Sequence, residues 1–356
     1  MRLDRNSLES VAKKAAAKAM GALPDKAATA LAGDPYEIDD YTLDQRLQLA
    51  MKAAAGNESI ASMPTSNARE SSREGFALSN APRVDGISVS PTIITDPVHG
   101  DLDARVYTPD HALDGLRPAV LFLHQGGLII GDLDTCDTFC TQMAAGLDAI
   151  VVSLDYQLAP EHPFPTQNDN VDAAWAWMLD SAPHLGIDRD QIVVCGDSAG
   201  GQLAASLCQR LRDAGQPNPA AQVLIYPFVN AEADSGSMQS CADAWPLTLE
   251  IAKFFMSNLD TEGFDRSDPS FSPALHPDLS GLAPAVVVTA AFDILRDQGR
   301  RYARQLTYAG VPVIERCETE MPHSFISMGA LSPAAYEASE RIVADIATML
   351  AERHLR

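Results

Sequence analysis

The chain has 356 residues, of which 46% are hydrophobic and 6% aromatic, enough for a large α/β core with an accessory piece. Its 48 acidic and 26 basic residues give a formal charge of −22, so we exclude nucleic acid and other polyanions as partners. The six cysteines form no CxxC pair and the histidines no HExxH pattern, so we expect reduced thiols, no disulfide framework and no metal site.

Residues 1–80 have the composition of a helical segment without chemistry of its own. Helices are predicted at Ser7–Met20 and Leu43–Ala55, between breaks that contain glycine and proline. The polar string Ser66–Asn80 predicts a linker to a second unit, residues 81–356. Charged residues interrupt the N-terminal stretch, and no apolar run has membrane-spanning length. We therefore expect a soluble, cytoplasmic protein without a membrane span.

From Ala119 onward, short apolar strands alternate with amphipathic helices. The strands are AVLFL, AIVVSL, QIVVC, QVLIY, AVVVT and VPVIERC. This alternation predicts an α/β fold with a mostly parallel sheet and helices on both faces. Between the fourth and fifth strands lies an insertion, Ala231–Asp268, which contains the helical pattern LTLEIAKFFMSNL. The insertion would roof a site at the carboxyl ends of the strands, although a purely structural helix has the same periodicity.

The strand QIVVC runs directly into a G-x-S-x-G sequence, residues 196–200, and an Ala/Leu-rich helix follows. Between a strand and a helix, this sequence predicts a nucleophile elbow, a tight turn that lifts the serine hydroxyl clear of the sheet. The N-terminus of the following helix also favours developing negative charge. Because G-x-S-x-G alone is common by chance, the prediction depends on this context, which makes Ser198 the candidate nucleophile.

A glycine-containing loop follows the first of these strands. It reads His124, Gln125, Gly126, Gly127 and occupies the position of the loop that completes an oxyanion hole in a fold with such an elbow. Glycines allow the backbone to approach a substrate closely. The alternative is an ordinary glycine-rich turn between a strand and a helix.

A serine nucleophile needs a general base, and the base needs an acid to orient it. With an elbow of this kind, the acid and then the base follow the serine in chain order. Asp293, just after the fifth strand, is the candidate acid; Asp297 is the rival, although N-capping of the next helix or a turn hydrogen bond suits it better. His323 follows the strand Val311–Cys317 and is the candidate base, because the other downstream histidine, His354, lies at the tail.

These motifs resemble the hormone-sensitive lipase family of α/β-hydrolases, in the bacterial esterase branch with a GDSAG elbow. The resemblance extends from about Ala119 to Phe325 and includes the string YQLAPEHPFP at 156–165. It implies an eight-stranded, mostly parallel sheet in a catalytic domain, residues 81–356, under a helical cap built from residues 1–80 and about 231–268. It also implies a carboxylesterase that hydrolyses short- to medium-chain acyl esters without a cofactor, and a possible homodimer.

The resemblance assigns roles to particular residues. The catalytic triad would be Ser198, Asp293 and His323. The backbone N–H groups of the oxyanion hole would be those of Gly126, Gly127 and Ala199. His124 and Glu161 would support the site from outside it.

The chain departs from the family pattern at two positions. Gln125 stands where the histidine is usually followed by the first of three glycines, and Ser324 stands where a glycine is common after the histidine. Gln125 would narrow the pocket or alter the loop, which affects substrate preference. An amidase or lactonase with the same triad is an alternative function, and a ligand-binding member of the fold without catalysis is another.

Overall fold

Residues 14–80 form a mainly helical segment with one short two-stranded sheet. The structure, a computed structural model, describes residues 14–112, 115–261 and 263–353. Residues 14–21 are helical, followed by α1 (Asp25–Ala32), the short strands β1 (Glu37–Ile38) and β2 (Tyr41–Thr42), α2 (Gln45–Ala54), a 3-10 turn (Ile60–Ser62) and α3 (Thr65–Ser79). The helix predicted at Leu43–Ala55 is confirmed, while the first half of that predicted at Ser7–Met20 lies outside the described residues.

The linker predicted at Ser66–Asn80 is wrong, because α3 is a regular helix of 15 residues. Its polar composition is that of a surface helix with one anchored face. Ala68 is fully buried, and the guanidinium of Arg69 pairs with Glu161 at 2.6 Å. Contacts with distant parts of the chain stabilise this helix, and local composition does not reveal them.

An eight-stranded sheet lies at the centre of the described residues. Its strands in chain order are β3 (Ile87–Asp96), β4 (Gly100–Pro109), β5 (Arg117–Leu123), β6 (Ile150–Leu154), β7 (Ile187–Asp197), β8 (Gln222–Ile225), β9 (Ala285–Phe292) and β10 (Val313–Pro322). Their spatial order is β10-β9-β8-β7-β5-β6-β4-β3. Among these strands β4 alone runs in the direction opposite to the other seven. The predicted mostly parallel sheet is confirmed.

Helices cover both faces of the sheet. The helices that follow α3 are α4 (Asp137–Leu147), α5 (Thr166–Leu185), α6 (Ala199–Asp213), α7 (Gly236–Ser240), α8 (Leu249–Leu259), α9 (Arg296–Tyr308) and α10 (Pro333–Arg353). Because successive strand residues point to opposite faces, Leu121 and Leu123 pack with α5, α6 and α9, while Val120 and Phe122 pack with α4 and α10. The central strands are buried on both faces and therefore read as continuous apolar runs.

The insertion between β8 and β9 lies beside the carboxyl edge of the sheet. It contains α7 and α8, and α8 confirms the helix predicted from LTLEIAKFFMSNL. Two side-chain hydrogen bonds join the insertion to the N-terminal segment: Thr65 to Asn258 at 3.1 Å and Ser240 to Asp39 at 2.5 Å. None of the helices within the described ranges has the length and apolarity needed to cross a membrane.

Candidate active site

Ser198 lies in the sharp turn between β7 and α6. Its backbone has φ 55° and ψ −115°, a conformation that a non-glycine residue keeps only when its surroundings impose it. The turn is too tight for larger neighbours, since a Cβ on Gly196 would overlap the carbonyl of Gly200, and one on Gly200 would overlap that of Leu123. The G-x-S-x-G sequence thus forms a nucleophile elbow with the serine at the N-terminus of a helix.

His323 lies between Ser198 and Asp293. Its Nε2 is 3.0 Å from Ser198 Oγ, and its Nδ1 is 2.7 Å from Asp293 Oδ2. The other carboxylate oxygen of Asp293 accepts a hydrogen bond from the backbone N–H of Leu295 at 2.8 Å. All three polar side chains are buried, with exposures of 7%, 0% and 4% for Ser198, Asp293 and His323. The three predicted residues are therefore in hydrogen-bonding contact, with the imidazole in the middle.

The sheet register places the acid and the base side by side. Strands β9 and β10 are parallel neighbours in which Phe292 pairs with Pro322. The next residue on each strand is Asp293 and His323, respectively, so both leave the sheet at the same level.

The rival acid, Asp297, binds elsewhere. Its Oδ2 accepts a hydrogen bond from the backbone N–H of Ser237 at 2.8 Å, and its Oδ1 pairs with Arg296. Asp297 lies in the first turn of α9, where a negative charge is favourable. The N-capping role expected for it is wrong, because Leu295 is the N-cap of this helix. His354 lies outside the described residues.

The loop after β5 requires glycine at two consecutive positions. Gly126 and Gly127 have φ of 132° and 61°, and a Cβ on Gly126 would overlap the carbonyl of Ile130. A Cβ on Gly127 would overlap the ring of Phe255 on α8. In the described part of the chain, the N–H groups of Gly126, Gly127 and Ala199 donate to no protein acceptor. Of these three residues, Gly127 and Ala199 line the same cavity as Ser198.

The side chain of Gln125 points to the loop that carries His323. Its Oε1 accepts a hydrogen bond from the Ser324 hydroxyl, and its Nε2 donates to Ser327 Oγ at 3.3 Å. Gln125 is absent from the described residues that line the cavity at Ser198. These two bonds direct the side chain to the loop after β10. Of the two expected effects, they favour a change in the loop over a narrower pocket, and the effect on substrate preference stays a prediction.

A cavity of about 380 Å³ opens at Ser198 beneath the insertion. Gly127 and Ala199 contribute to its wall together with the nucleophile. The insertion supplies an apolar part of the lining: Leu247, Leu249, Ala252, Phe255, Met256 and Leu259. Such a surface suits the hydrocarbon part of a small substrate. Residues of α8 thus form part of the cavity wall.

The comparison with known families agrees with this geometry. Residues 120–327 match a family model described as an alpha/beta hydrolase fold. The chain belongs to the hormone-sensitive lipase family of α/β-hydrolases. Carboxylesterase NlhH of Mycobacterium tuberculosis is 42% identical over 245 residues, which cover 68% of this chain and 76% of that protein. Ethyl acetate hydrolase of Pseudomonas putida is 38% identical over 246 residues, which cover 68% and 77%.

The solved structures show the same likeness. A thermostable esterase from Pseudomonas putida ECU1011 superposes with a TM-score of 0.81 at 30% identity, over 86% of this chain and 98% of that one. Together with the relatives, this likeness makes the hydrolase a carboxylic ester hydrolase. Among the described residues of this esterase, no group of three His, Cys, Asp or Glu side chains could hold a metal ion.

The esterase supports its glycine loop from the N-terminal segment. Arg69 of α3 donates from Nε to the carbonyl of Ile129 at 2.8 Å, and from Nη2 to the carbonyl of Ala159 at 2.9 Å. The same guanidinium pairs with Glu161. Sequence reasoning missed Arg69, because its partners are distant in the chain and nothing in the local pattern of α3 points to them.

His124 supports the loop from below. Its ring stacks on Tyr156 with centroids 4.2 Å apart, and its Nδ1 is 2.7 Å from the carbonyl oxygen of Gln125. Burial lowers the pKa of His124 to about 4, so the ring is neutral at neutral pH. The predicted supporting role of His124 agrees with these contacts.

Tyr226 and Asp197 lie directly behind the histidine and the serine. The ring of Tyr226 packs on that of His323 with centroids 4.7 Å apart, and its hydroxyl donates to Asp197 Oδ2 at 3.0 Å. Burial raises the pKa of Asp197 to about 7. Sequence reasoning missed Tyr226, although its place at the carboxyl end of the strand QVLIY was a signal that could have found it.

Proposed function

We propose that the esterase hydrolyses short- to medium-chain acyl esters through a Ser-His-Asp triad and an acyl-enzyme intermediate. The observation that carries the proposal is the position of His323, whose two ring nitrogens lie 3.0 Å from Ser198 Oγ and 2.7 Å from Asp293 Oδ2. In this arrangement the imidazole takes the serine proton, while the carboxylate orients the ring and stabilises the imidazolium.

The reaction proceeds in two halves. Ser198 Oγ attacks the ester carbonyl carbon as its proton moves to His323 Nε2, and the carbonyl π electrons move to the oxygen. The tetrahedral intermediate collapses, the C–O bond to the alcohol breaks, and His323 returns its proton to the leaving oxygen. Water then attacks acyl-Ser198 by the same route, which releases the acid and restores the serine hydroxyl. The residues of the chain carry each proton, so the proposed mechanism uses no cofactor.

The N–H groups of Gly126, Gly127 and Ala199 are proposed as the oxyanion hole. Two observations support this role: none of them has a protein acceptor in the described residues, and Ala199 begins the helix that follows the nucleophile. Donors aimed at the developing negative charge stabilise the transition state. Losing one such donor costs on the order of a hundredfold or more in kcat.

The cavity supports the proposed chain length. Its volume of about 380 Å³ is near the lower end of the range for small-molecule sites, about 300–1,000 Å³. A relative named for ethyl acetate supports a short acyl group as well. We also propose that the N-terminal segment, predicted as residues 1–80, and the insertion at about 231–268 form a cap on the catalytic domain, residues 81–356. The hydrogen bonds from Thr65 and Ser240 across these two parts support the proposal.

The test measures initial rates on p-nitrophenyl esters from acetate to palmitate, with Ser198→Ala in parallel. We expect a maximum at short or medium chains and loss of nearly all activity in the variant, which removes the nucleophile. Mass spectrometry after reaction with a phosphonate ester should place the adduct on Ser198. A Ser198→Ala protein with the wild-type rate would refute the triad, and faster turnover of matched amides or lactones would change the substrate class.

Two further properties stay predictions. The homodimer is checked by light scattering of the purified protein, and the cytoplasmic location by fractionation of the cells that produce it.

A further inference from the structure

The two positions at which this chain lacks the family's glycines are in contact with each other. The hydroxyl of Ser324 donates a hydrogen bond to Oε1 of Gln125, across 199 positions of sequence. Both side chains are buried, with exposures of 7% and 2%. A glycine at either position would remove this bond, so the two substitutions form one structural feature.

The bond joins two loops that follow strands which are not neighbours in the sheet. The loop with Gln125 follows β5, and the loop with Ser324 follows β10. In the sheet, β7, β8 and β9 lie between these two strands, so no ladder of backbone hydrogen bonds joins β5 to β10 directly. Gln125 directly precedes Gly126, and Ser324 directly follows His323. The bond therefore links the proposed oxyanion hole to the proposed base.

The amide end of Gln125 extends the same link. Its Nε2 donates to Ser327 Oγ at 3.3 Å, and Ser327 in turn donates to the carbonyl of Thr135 at 2.9 Å. Both ends of the carboxamide thus have a partner, as a buried amide requires. Because serine hydroxyls hold both ends of its carboxamide, Gln125 acts on the site through its loop rather than on the substrate.

The backbone of Ser324 indicates that its hydroxyl is used. Its φ is 66°, in the left-handed region that glycine adopts freely and that a side chain makes unfavourable. A residue held in such a conformation depends on its surroundings to keep it there. What serine adds over glycine at this position is the hydroxyl and its bond to Gln125.

We propose that Gln125 and Ser324 are a matched pair of positioning residues, whose hydrogen bond sets the distance between the oxyanion N–H groups and the imidazole of His323. The inference rests on the proposed function, because it assigns the pair to that same triad and oxyanion hole. Neither side chain touches the reacting atoms. Misplacement of reacting groups by about 1 Å costs up to a hundredfold in rate, so the pair affects kcat more than KM.

The test is a double-mutant cycle on p-nitrophenyl acetate. Gln125→Met keeps about the same side-chain volume without its polar groups, and Ser324→Gly removes the hydroxyl while relieving the backbone strain. We expect each variant to lower kcat on the order of tenfold, with KM changed less than about threefold. The kcat of the double variant should be no lower than that of the less active single variant, because the two residues act as one unit.

Rates are counted per reactive serine, titrated with a phosphonate ester, and melting temperatures are recorded. Ser339→Ala is the matched control: Ser339 is a buried serine that bonds to the Ala335 carbonyl within α10, so this variant should change only the melting temperature. If Gln125→Met fails to fold, Ser324→Gly and Ser324→Ala keep the test available, since both remove the hydroxyl and should lower kcat alike.

The outcomes separate this inference from the proposed function. Unchanged kcat per titrated serine in the Gln125 and Ser324 variants, or effects that multiply in the double variant, overturn the matched pair while Ser198→Ala remains inactive. A Ser198→Ala protein that keeps the wild-type rate removes the proposed function, and the inference with it.

Discussion

Replacing Asp197 with asparagine is expected to stabilise the esterase above neutral pH. The carboxyl group is fully buried, accepts a hydrogen bond from Tyr226, and has a pKa raised by burial from 3.8 to about 7. Between those two values the folded protein holds a proton that the unfolded chain has lost. The contribution of Asp197 to the free energy of unfolding therefore decreases as pH rises through this window and is constant above it.

The size of the effect follows from the difference in pKa. The reference is strongly acidic pH, where the carboxyl is protonated in both the folded and the unfolded state. Relative to it, a pKa difference of about three units lowers the free energy of unfolding by about 4 kcal/mol at pH 8. At pH 5 the free energy of unfolding is lowered by only about 2 kcal/mol, because the folded carboxyl is still protonated while that of the unfolded chain is ionised. The variant has a neutral side chain of similar shape that can still accept from Tyr226. Its gain in unfolding free energy should therefore be larger at pH 8 than at pH 5 by about 2–3 kcal/mol.

The assay is urea unfolding, followed by tryptophan fluorescence at several pH values between 5 and 8. Asp190→Asn is the matched control, since Asp190 lies on the same strand, β7, but is exposed to solvent. We expect the control and the wild type to differ little in free energy of unfolding at every pH. A stability gap between Asp197→Asn and the wild type that stays constant from pH 5 to pH 8 would refute the reasoning.

Three further predictions concern the loop and the roof of the site. Gly127→Ala should lower kcat at least a hundredfold, because the added Cβ would overlap the ring of Phe255 and the residue has a positive φ. Adding Phe255→Ala should recover part of this loss. Arg69→Met should lower the free energy of unfolding by about 1–3 kcal/mol, as measured by urea titration, because it leaves two backbone carbonyls without their donor. Arg73→Met on the same helix breaks only the ion pair between the exposed Arg73 and Asp132. It should lower the free energy of unfolding by less than about 1 kcal/mol. Phe255→Ala alone should move the optimum of the p-nitrophenyl ester series to longer chains, because it enlarges the cavity, and an unchanged optimum would contradict its place in the roof.

The sheet was predictable because its central strands carry a local signal. Ile150–Leu154 and Ala285–Phe292 are buried along their whole length, so their apolar runs stand out in the sequence. The edge strand was harder: VPVIERC predicted Val311–Cys317, whereas the strand spans Val313–Pro322. Its second half includes Glu318, which is buried and ion-paired with Arg341, and the exposed Glu320. A pattern of apolar residues detects neither.

The contacts of the candidate site depend on tertiary structure more than on spacing. Motif and chain order indicated Ser198 and His323, but the spacing alone left Asp297 beside Asp293 as a possible acid. The pairing of strands β9 and β10, with a register shift between Glu318 and Pro322, places Asp293 level with His323. The direction of the Gln125 side chain and the partners of Arg69 arise from segments far apart in the chain, so a single sequence holds no pattern for them.

The geometry separates the groups proposed for the chemistry from those proposed to select the substrate. Ser198, Asp293 and His323 each follow a strand of one continuous sheet directly, so strand pairing limits their relative movement. The apolar roof belongs to an insertion, and its side-chain hydrogen bonds to the N-terminal segment include those from Thr65 and Ser240. Substitutions in α8 should therefore change which ester fits while the hydrogen bonds among the three polar residues stay intact. The glycine loop lies between the two parts, since Gly127 contacts the roof through Phe255 and the adjoining Gln125 contacts the base loop through Ser324. A change in the roof is thus expected to affect the proposed chemistry mainly through this loop.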